Sequence, residues 1–534
     1  MSIQDSCAAS TSIFRARNTA ARNVSGESPT ALALLASAAL TLLLVMVFLY
    51  LDVASAMAVP LALLLGLASK HLFGLIFRPA RSDFFFPTTL VVGYFSVDFA
   101  ARSFYLATVP FFARIGRNPY DDYLPAALWC ACVGYIAYSS GMGSKVAGHC
   151  LRRVPRLGNW PRSLSAPRLL ILMAVGLASL IYLFKIGLTV GNYSNLEFQR
   201  HPPPGIPVLL QNLIDLSWVA VCIFLLTSSK KSKRGVIWLL VVISIGILCI
   251  KLAISGGKVS LIQPFLEAAI VFHYAKRRFR LWEMVIIGVP VLMLAFGVVN
   301  FYRFIVVGQH GAPKDLGDVI SRVSSASDML NTTHGKESKQ SALEQMVDRN
   351  AGTDALALIM RYTPHPFSYV YGRHWLEIPL TFIPRQIWKN KPVNMPSAEF
   401  ESTYMDEPSN YNGFSSMQLI GDLYRNFSYP GVLCGMFLLG VLLRFFYQFC
   451  APCKENGAGL FLYAALFPEI IHSLESDAGY AVINVFRAAL LAVAVAFFLG
   501  VRFRKIRRVD SPRRLSTTTV YPYNYGMVSE PQTE

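Results

Sequence analysis

Runs of about 20 apolar residues recur along this chain with short polar breaks between them, and this pattern limits the fold more than any other feature. A helix of that length crosses about 30 Å of hydrocarbon and pairs all its backbone polar groups internally, as lipid requires. Such runs lie near 30–51, 53–76, 84–108, 123–142, 168–186, 207–227, 236–252, 259–275, 281–301, 429–449, 457–472 and 480–501, twelve in all. The first is too long for a secretory signal and lacks a convincing cleavage site, so it is expected to remain as an anchor. The expected fold is all-α: a polytopic membrane protein of about 12 transmembrane helices.

Composition agrees. Of the 534 residues 54% are hydrophobic and 15% charged, outside the range of a water-soluble domain. The 49 Lys and Arg against 31 Asp and Glu leave a balance of +18, but these charges sit in short runs between apolar stretches and not along one face. That placement marks orienting charges of a membrane protein and speaks against nucleic acid as a partner. None of the nine cysteines falls in the polar segment from Tyr302 to Ser428, so no disulfide framework is expected there. Cys450 and Cys453 form half of a zinc motif with no second pair nearby, and no metal site is expected. Gly256-Gly257-Lys258 lacks the remaining residues of a phosphate-cradling loop, and no cofactor is implied.

Basic residues follow every second run: Arg78 and Arg81, Lys145 to Arg162, Lys230 to Arg234, Lys276 to Arg280, Lys454, and Arg502 to Arg508, with Arg15, Arg17 and Arg22 before the first. The rule that cations stay inside then predicts both termini in the cytoplasm. It divides the chain into a cytoplasmic tail (1–29), a transmembrane bundle of about nine spans (30–301), a large extracytoplasmic loop (302–428), about three further spans (429–501) and a basic cytoplasmic tail (502–534).

The loop is the anomaly, since connections of that length generally carry function or lack order. Residues 314–340 are polar without periodicity. Leu343, Met346, Val347, Ala351, Ala355, Leu358 and Ile359 then recur at helical spacing, which predicts an amphipathic helix against the membrane face or the bundle, ended by Pro364 and Pro366. Arginines gather on the side where orientation rules disfavour them: Arg200, Arg303, Arg349, Arg361, Arg373, Arg385 and Arg425. A guanidinium fork grips phosphate oxygens bidentately, so such a group suits a lipid-borne diphosphate, with Lys251 and Lys258 assisting from the membrane edge. Singly, each arginine also reads as a headgroup anchor.

The segment Phe382-Ile383-Pro384-Arg385-Gln386-Ile387-Trp388-Lys389-Asn390-Lys391-Pro392 resembles the "IPR, W, KP" signature of the oligosaccharide repeat-unit polymerases of the O-antigen polymerase type. Upstream, Arg349-Asn350-Ala351-Gly352-Thr353-Asp354-Ala355-Leu356 is similar to that family's Arg-containing helix, and Tyr371-Gly372 to its aromatic-Gly pair. Downstream, Ile420-Gly421-Asp422-Leu423-Tyr424-Arg425-Asn426-Phe427, then Gly431 and Gly440, resembles the stretch entering the next span. Ser428 stands where the family's "NFG" has Gly, and Asp422 where it commonly has Glu. The likeness covers residues 343–445.

It implies glycosyl transfer outside a bacterial cytoplasmic membrane, from an undecaprenyl-diphosphate-linked chain to the terminal sugar of another lipid-linked repeat unit. The lipid bilayer is the setting, and a chain-length regulator is a conceivable further partner. Arg349, Arg385 and Lys391 would clamp the diphosphate, backed by Arg361 and Arg373, with Arg200, Lys258 and Arg425 at its margins. Arg385 and Asp422 are the candidate catalytic residues, Asp422 as proton acceptor ahead of Glu399 and Glu401. Asp422 equally suits a structural pair with Arg425, three residues on. Trp388, Tyr371 and Tyr424 would stack on sugars or anchor at the interface. A polysaccharide ligase makes similar demands of the outer loop; a transporter of lipid-linked sugars ranks third, because transporters often show paired interrupted spans in repeated halves and little outer mass.

Charges within the runs complete the reading. Asp98 and Arg102, four apart, should pair with each other or face a wet cavity; Glu267 and Arg487 lie deep enough to be functional, and their contact is open. His472, Glu475 and Asp477 should form a polar rim between the last two spans.

Overall fold

The computed structural model of the chain describes residues 31–51, 53, 55–77, 83–108, 121–151, 154, 160–161, 165–185, 205–227, 234–255, 258–280, 282–291, 317, 321, 352–383, 388, 396–405 and 416–501. They are helical almost throughout and form no strand, as the apolar runs predict. In chain order the helices are α1 (Ala31–Tyr50), α2 (Ser55–Phe77), α3 (Pro87–Tyr94, continued as a π-helix over Phe95–Ala101 and as Arg102–Thr108), α4 (Leu124–Gly143), α5 (Val146–Leu151), α6 (Ala166–Lys185), α7 (Gly205–Leu210), α8 (Leu213–Thr227), α9 (Arg234–Ser255) and α10 (Lys258–Ala275). There follow α11 (Trp282–Val291), α12 (Gly352–Tyr362), α13 (Arg373–Leu376), α14 (Ile378–Thr381), α15 (Pro396–Tyr404), α16 (Gln418–Cys450), α17 (Gly457–Leu474) and α18 (Ala478–Phe498).

Among the described residues eight helices are long and apolar enough to cross a membrane: α1, α2, α6, α7 with α8, α9, α16, α17 and α18. This is a membrane protein. The other expected spans are helical where described, although α10 carries Pro264 and Glu267 and α11 is described only to Val291.

Contacts sort the connections into two ends. At one end the Tyr274 and Tyr447 hydroxyls donate to Asp83 at 2.7 and 2.8 Å. Arg444 donates to the Met142 and Ser144 carbonyls, and Arg168 to that of Phe498. The segments after α2, α4, α10, α16 and α18 therefore lie together, the alternation that the basic residues require. At the opposite end α12 is buried from Gly352 to Met360 among α3, α4 and α16. The expected amphipathic helix thus lies against the bundle; its part before Gly352 is outside the described residues.

Backbone proximity holds the centre. A methyl group at Gly141 of α4 would sit 2.0 Å from the Phe437 carbonyl oxygen, and one at Gly440 of α16 2.2 Å from that of Tyr138. Glycine at both positions lets these helices touch main chain to main chain, as small residues do where lipid supplies no hydrophobic drive.

The π-turn in α3 decides how α12 docks. Widened turns leave carbonyls out of the regular ladder, and the Thr353 hydroxyl is shared between those of Asp98 and Phe99 at 3.2 and 3.1 Å. Arg102 pairs with Asp354 at 2.7 Å and not with Asp98, correcting the expected i to i+4 pair. Asp98 accepts instead from Gln418, whose amide oxygen takes the Tyr94 hydroxyl at 2.7 Å.

Candidate functional site

At the loop end, α13, α15, the first turns of α16 and the start of α18 bring a polar set together. Asp422 is 2% exposed. Its Oδ2 accepts from the Trp375 indole at 3.1 Å and the Ala478 N–H at 2.9 Å, and its Oδ1 from the Asn426 amide at 2.8 Å. Asn426 in turn accepts the Gly372 N–H at 2.7 Å, which pins the turn before α13 to α16. The carboxylate thus sits at the N-terminus of α18, where helix polarity favours a negative charge. Asp477 caps that helix through the Tyr480 N–H, and burial first, with the neighbouring Asp422 charge, pushes its carboxyl up to about 6.

Arg425, on the next face of α16, donates to Glu399 at 2.6 Å. The other oxygen of Glu399 meets His374 Nε2 at 2.7 Å. This corrects the pairing of Arg425 with Asp422: its partner is Glu399, reached across from α15. The buried guanidinium also lies 5.6 Å from the centre of the Tyr404 ring, whose hydroxyl is hydrogen-bonded to Thr363 at 2.7 Å. A cation over a ring face is held there by the ring's electron-rich surface. The His374 and Arg425 bonds hold the Glu399 carboxyl down to about 2, and Glu399 holds the His374 imidazole above its ordinary 6.5. Of the carboxylates in this set Asp422 is closed off with its oxygens engaged by donors, whereas the Glu399 side chain is 41% exposed. Proton traffic with a ligand suits the exposed Glu399 carboxylate, with His374 Nε2 engaged on it and Nδ1 buried, and positioning suits Asp422.

Aromatic faces border the set. Tyr371 is 68% exposed and packs edge-on against Phe427, which also meets Trp375 at 5.6 Å. Trp388 is exposed as well. Arg373 is exposed one residue before His374, and Arg361 lies over the ring of Tyr362 at 5.2 Å. Arg200, Arg349, Arg385 and Lys391 are outside the described residues, as is the side chain of Lys258. Lys251 does not serve the membrane edge: it is buried and bonded to Asp215 at 2.5 Å. Glu267 bonds Gln263, and Arg487 the Thr381 carbonyl, so neither is bonded to the other. Among the described residues no group of His, Cys, Asp and Glu converges as a metal site.

His374, Trp375 and Asn426 were not singled out by their sequence context. A one-turn helix has no periodicity to betray which residue faces inward; only the i to i+4 spacing of Asp422 and Asn426 carried a signal.

A family described as Domain of unknown function (DUF8712) matches residues 182–452, just over half of the chain, so the chain belongs to it. The match includes His374, Glu399, Asp422 and Arg425. No curated protein and no solved structure matches the chain.

Proposed function

We propose that this member of the DUF8712 family is a membrane glycosyltransferase that polymerises undecaprenyl-diphosphate-linked repeat units on the outer face of the bacterial cytoplasmic membrane, as a twelve-span protein with both termini inside. The observation that supports it most is the His374–Glu399 pair at 2.7 Å, anchored from behind by buried Arg425 and bordered by exposed aromatic faces. A carboxylate and an imidazole held as a pair supply what removal of a proton from a sugar hydroxyl needs.

In the reaction the acceptor hydroxyl gives its proton to the Glu399–His374 pair through the exposed Glu399 carboxylate, and its oxygen forms the new bond at the anomeric carbon of the donor. The bond from that carbon to the diphosphate oxygen breaks, and the lipid diphosphate leaves with the electron pair. A leaving group that departs as a stable anion needs cations around it more than an acid. Arg385, Arg349 and Lys391, with Arg361 and Arg373 behind, fill that role in this reading. Asp422, held by Trp375, Asn426 and Ala478, fixes α13 and thereby His374.

Loss of the gene in its host followed by gel analysis of surface polysaccharide tests the reading. Capped single repeat units support polymerisation; unattached long polymer indicates a ligase, and absence of outer-face units a transporter. Arg385→Ala is expected to abolish polymer while the protein still inserts, and Arg385→Lys to recover little, because a point charge lacks the bidentate fork. Normal ladders from Arg385→Ala remove that residue from the clamp.

A further inference from the structure

The segment carrying His374 does not stay at the loop end of the bundle. It runs down the side of α18: Phe382 packs against Phe486 with ring centres 4.8 Å apart, and Arg487 donates to the Thr381 carbonyl at 3.1 Å. Arg487 is nine residues beyond Ala478, and at 1.5 Å per residue it lies about 13 Å below the top of the helix. Irregular backbone is tolerated at such depth only against protein or a wet cavity.

The surface around this contact is apolar. On α18 Val482, Phe486 and Leu490 are exposed, and on the descending segment Leu376 is 81% exposed and Phe382 partly so. Lipid chains suit these side chains better than water does. Arg487 does not fit that surface. It is an exposed guanidinium amid hydrocarbon-facing residues, where a charge is costly and marks a functional site by default. The Thr381 carbonyl engages one nitrogen of a group with five N–H donors.

A ligand complementary to a cation set among apolar surfaces has an anionic head and a long hydrocarbon tail. We propose that the notch between α13–α14 and α18 seats a long-chain prenyl diphosphate, with Arg487 taking phosphate oxygens and Leu376, Phe382, Phe486 and Leu490 lying along the chain. That the lipid is a prenyl diphosphate and not a phospholipid rests on the glycosyl-transfer reading. The notch and the base then belong to one segment, His374 near its top and Thr381 at its foot. With the donor's diphosphate in the Arg385 clamp, the lipid in the notch is the acceptor, whose repeat unit spans the distance from its diphosphate to the terminal sugar hydroxyl presented near His374.

The test uses the full-length protein in nanodiscs of neutral phosphatidylcholine, titrated with farnesyl diphosphate and followed by intrinsic fluorescence. The parent is expected to bind, Arg487→Gln to bind about tenfold or more weakly, and Arg487→Lys to recover part of the loss, with thermal midpoints unchanged. Leu376→Ser provides an independent arm: it should weaken farnesyl diphosphate and leave inorganic diphosphate unaffected. Equal affinity of the parent and Arg487→Gln overturns the proposal. So does inorganic diphosphate binding the parent as tightly as farnesyl diphosphate, or phosphatidylglycerol vesicles competing equally well, which would mark a general anion or phospholipid seat. A host that lacks the gene yet makes normal polymer overturns glycosyl transfer but leaves the binding result standing, so the two failures are separable.

Discussion

The two ends of the bundle each close around a buried carboxylate, and α16 reaches both. At the basic end Asp83 receives the hydroxyls of Tyr274 and Tyr447 at 2.7 and 2.8 Å, with His273 at 3.4 Å; Asp83, Tyr447 and His273 are buried and Tyr274 half-buried. Burial pushes the Asp83 carboxyl up, but His273, Arg278 and the Tyr274 hydroxyl more than reverse this and hold it below its ordinary value. At the loop end Asp422 receives an indole, an amide and a backbone N–H. As a clamp on neighbouring helices the two devices are equivalent. They differ in what adjoins them. Asp83 is walled by aromatic rings, whereas Asp422 borders a second carboxylate, Glu399, whose side chain is 41% exposed and bonded to His374. A buried network holds helices together; chemistry needs one that surfaces.

The largest expected effect breaks the closed device. Asp83→Ala leaves two tyrosine hydroxyls buried without their acceptor and removes a charge partner, a loss of about 3–5 kcal/mol when one side of a buried pair goes. Thermal unfolding of the purified protein in detergent should show it, and a midpoint equal to the parent's would mean that Asp83 is not a clamp. Glu399→Gln should do the reverse at the open device. Stability is expected to fall less than at Asp83, since the glutamine keeps an acceptor for the buried Arg425 guanidinium and the Glu399 side is partly exposed, while chain extension falls about a hundredfold with the Glu399–His374 pair broken. Extension at the parent's rate would reduce the loop-end set to a second clamp.

A pH series sharpens the same contrast. The carboxyl of Glu399 is depressed from 4.5 to about 2, so its contribution to docking this segment is complete above pH 4.5 and lost as pH falls towards 2. His374 is raised above 6.5, so its contribution is complete below pH 6.5 and lost as pH rises through its folded value. Protection of residues 373–404 from protease should therefore be greatest between pH 4.5 and 6.5. The alkaline decline should vanish in Glu399→Gln. Chain extension should instead rise with pH through the raised His374 value, because the pair must first lose its proton. A profile flat through that region argues against the Glu399–His374 pair as the acceptor.

How much of this was legible in the sequence follows from what each feature depends on. Apolar runs report a local property, the match between a helix and hydrocarbon, and the all-α fold and the sharing of one end by alternate connections were visible in them and in the basic residues between. Side-chain partners depend on register and on distant chain. Asp98 and Arg102 are four apart, but a π-turn lies between them and takes them off the common face that regular 3.6-residue spacing would give. Arg102 turns to Asp354, 252 residues away. Likewise Asp422 and Arg425 share a helix, yet a carboxylate from α15 reaches the arginine first. Lys251 looked like a membrane-edge cation because its partner, Asp215, lies on another helix. Local spacing proposes pairs, and tertiary packing chooses among them.

The smallest prediction concerns the joint between the two devices. The long helix α16 bends at Phe427 and Ser428, where Ser428 takes φ 57° and ψ −148°, so that residues 418–426 serve the loop end while Tyr447 reaches Asp83. A side chain in that conformation is strained by about 1–3 kcal/mol, and this is the position at which the resembled polymerases carry glycine. Ser428→Gly relieves the strain, offset by glycine's greater freedom when unfolded, about 0.5–1 kcal/mol, and by loss of the hydroxyl's bond to Tyr424. The net expectation is a gain of about 1 kcal/mol or less, read as a small rise in the thermal midpoint with chain extension preserved. If Ser428→Gly instead loosens residues 418–426 in hydrogen exchange while the Asp83 end stays protected, the bend is held by the serine itself, and the two devices are stabilised independently.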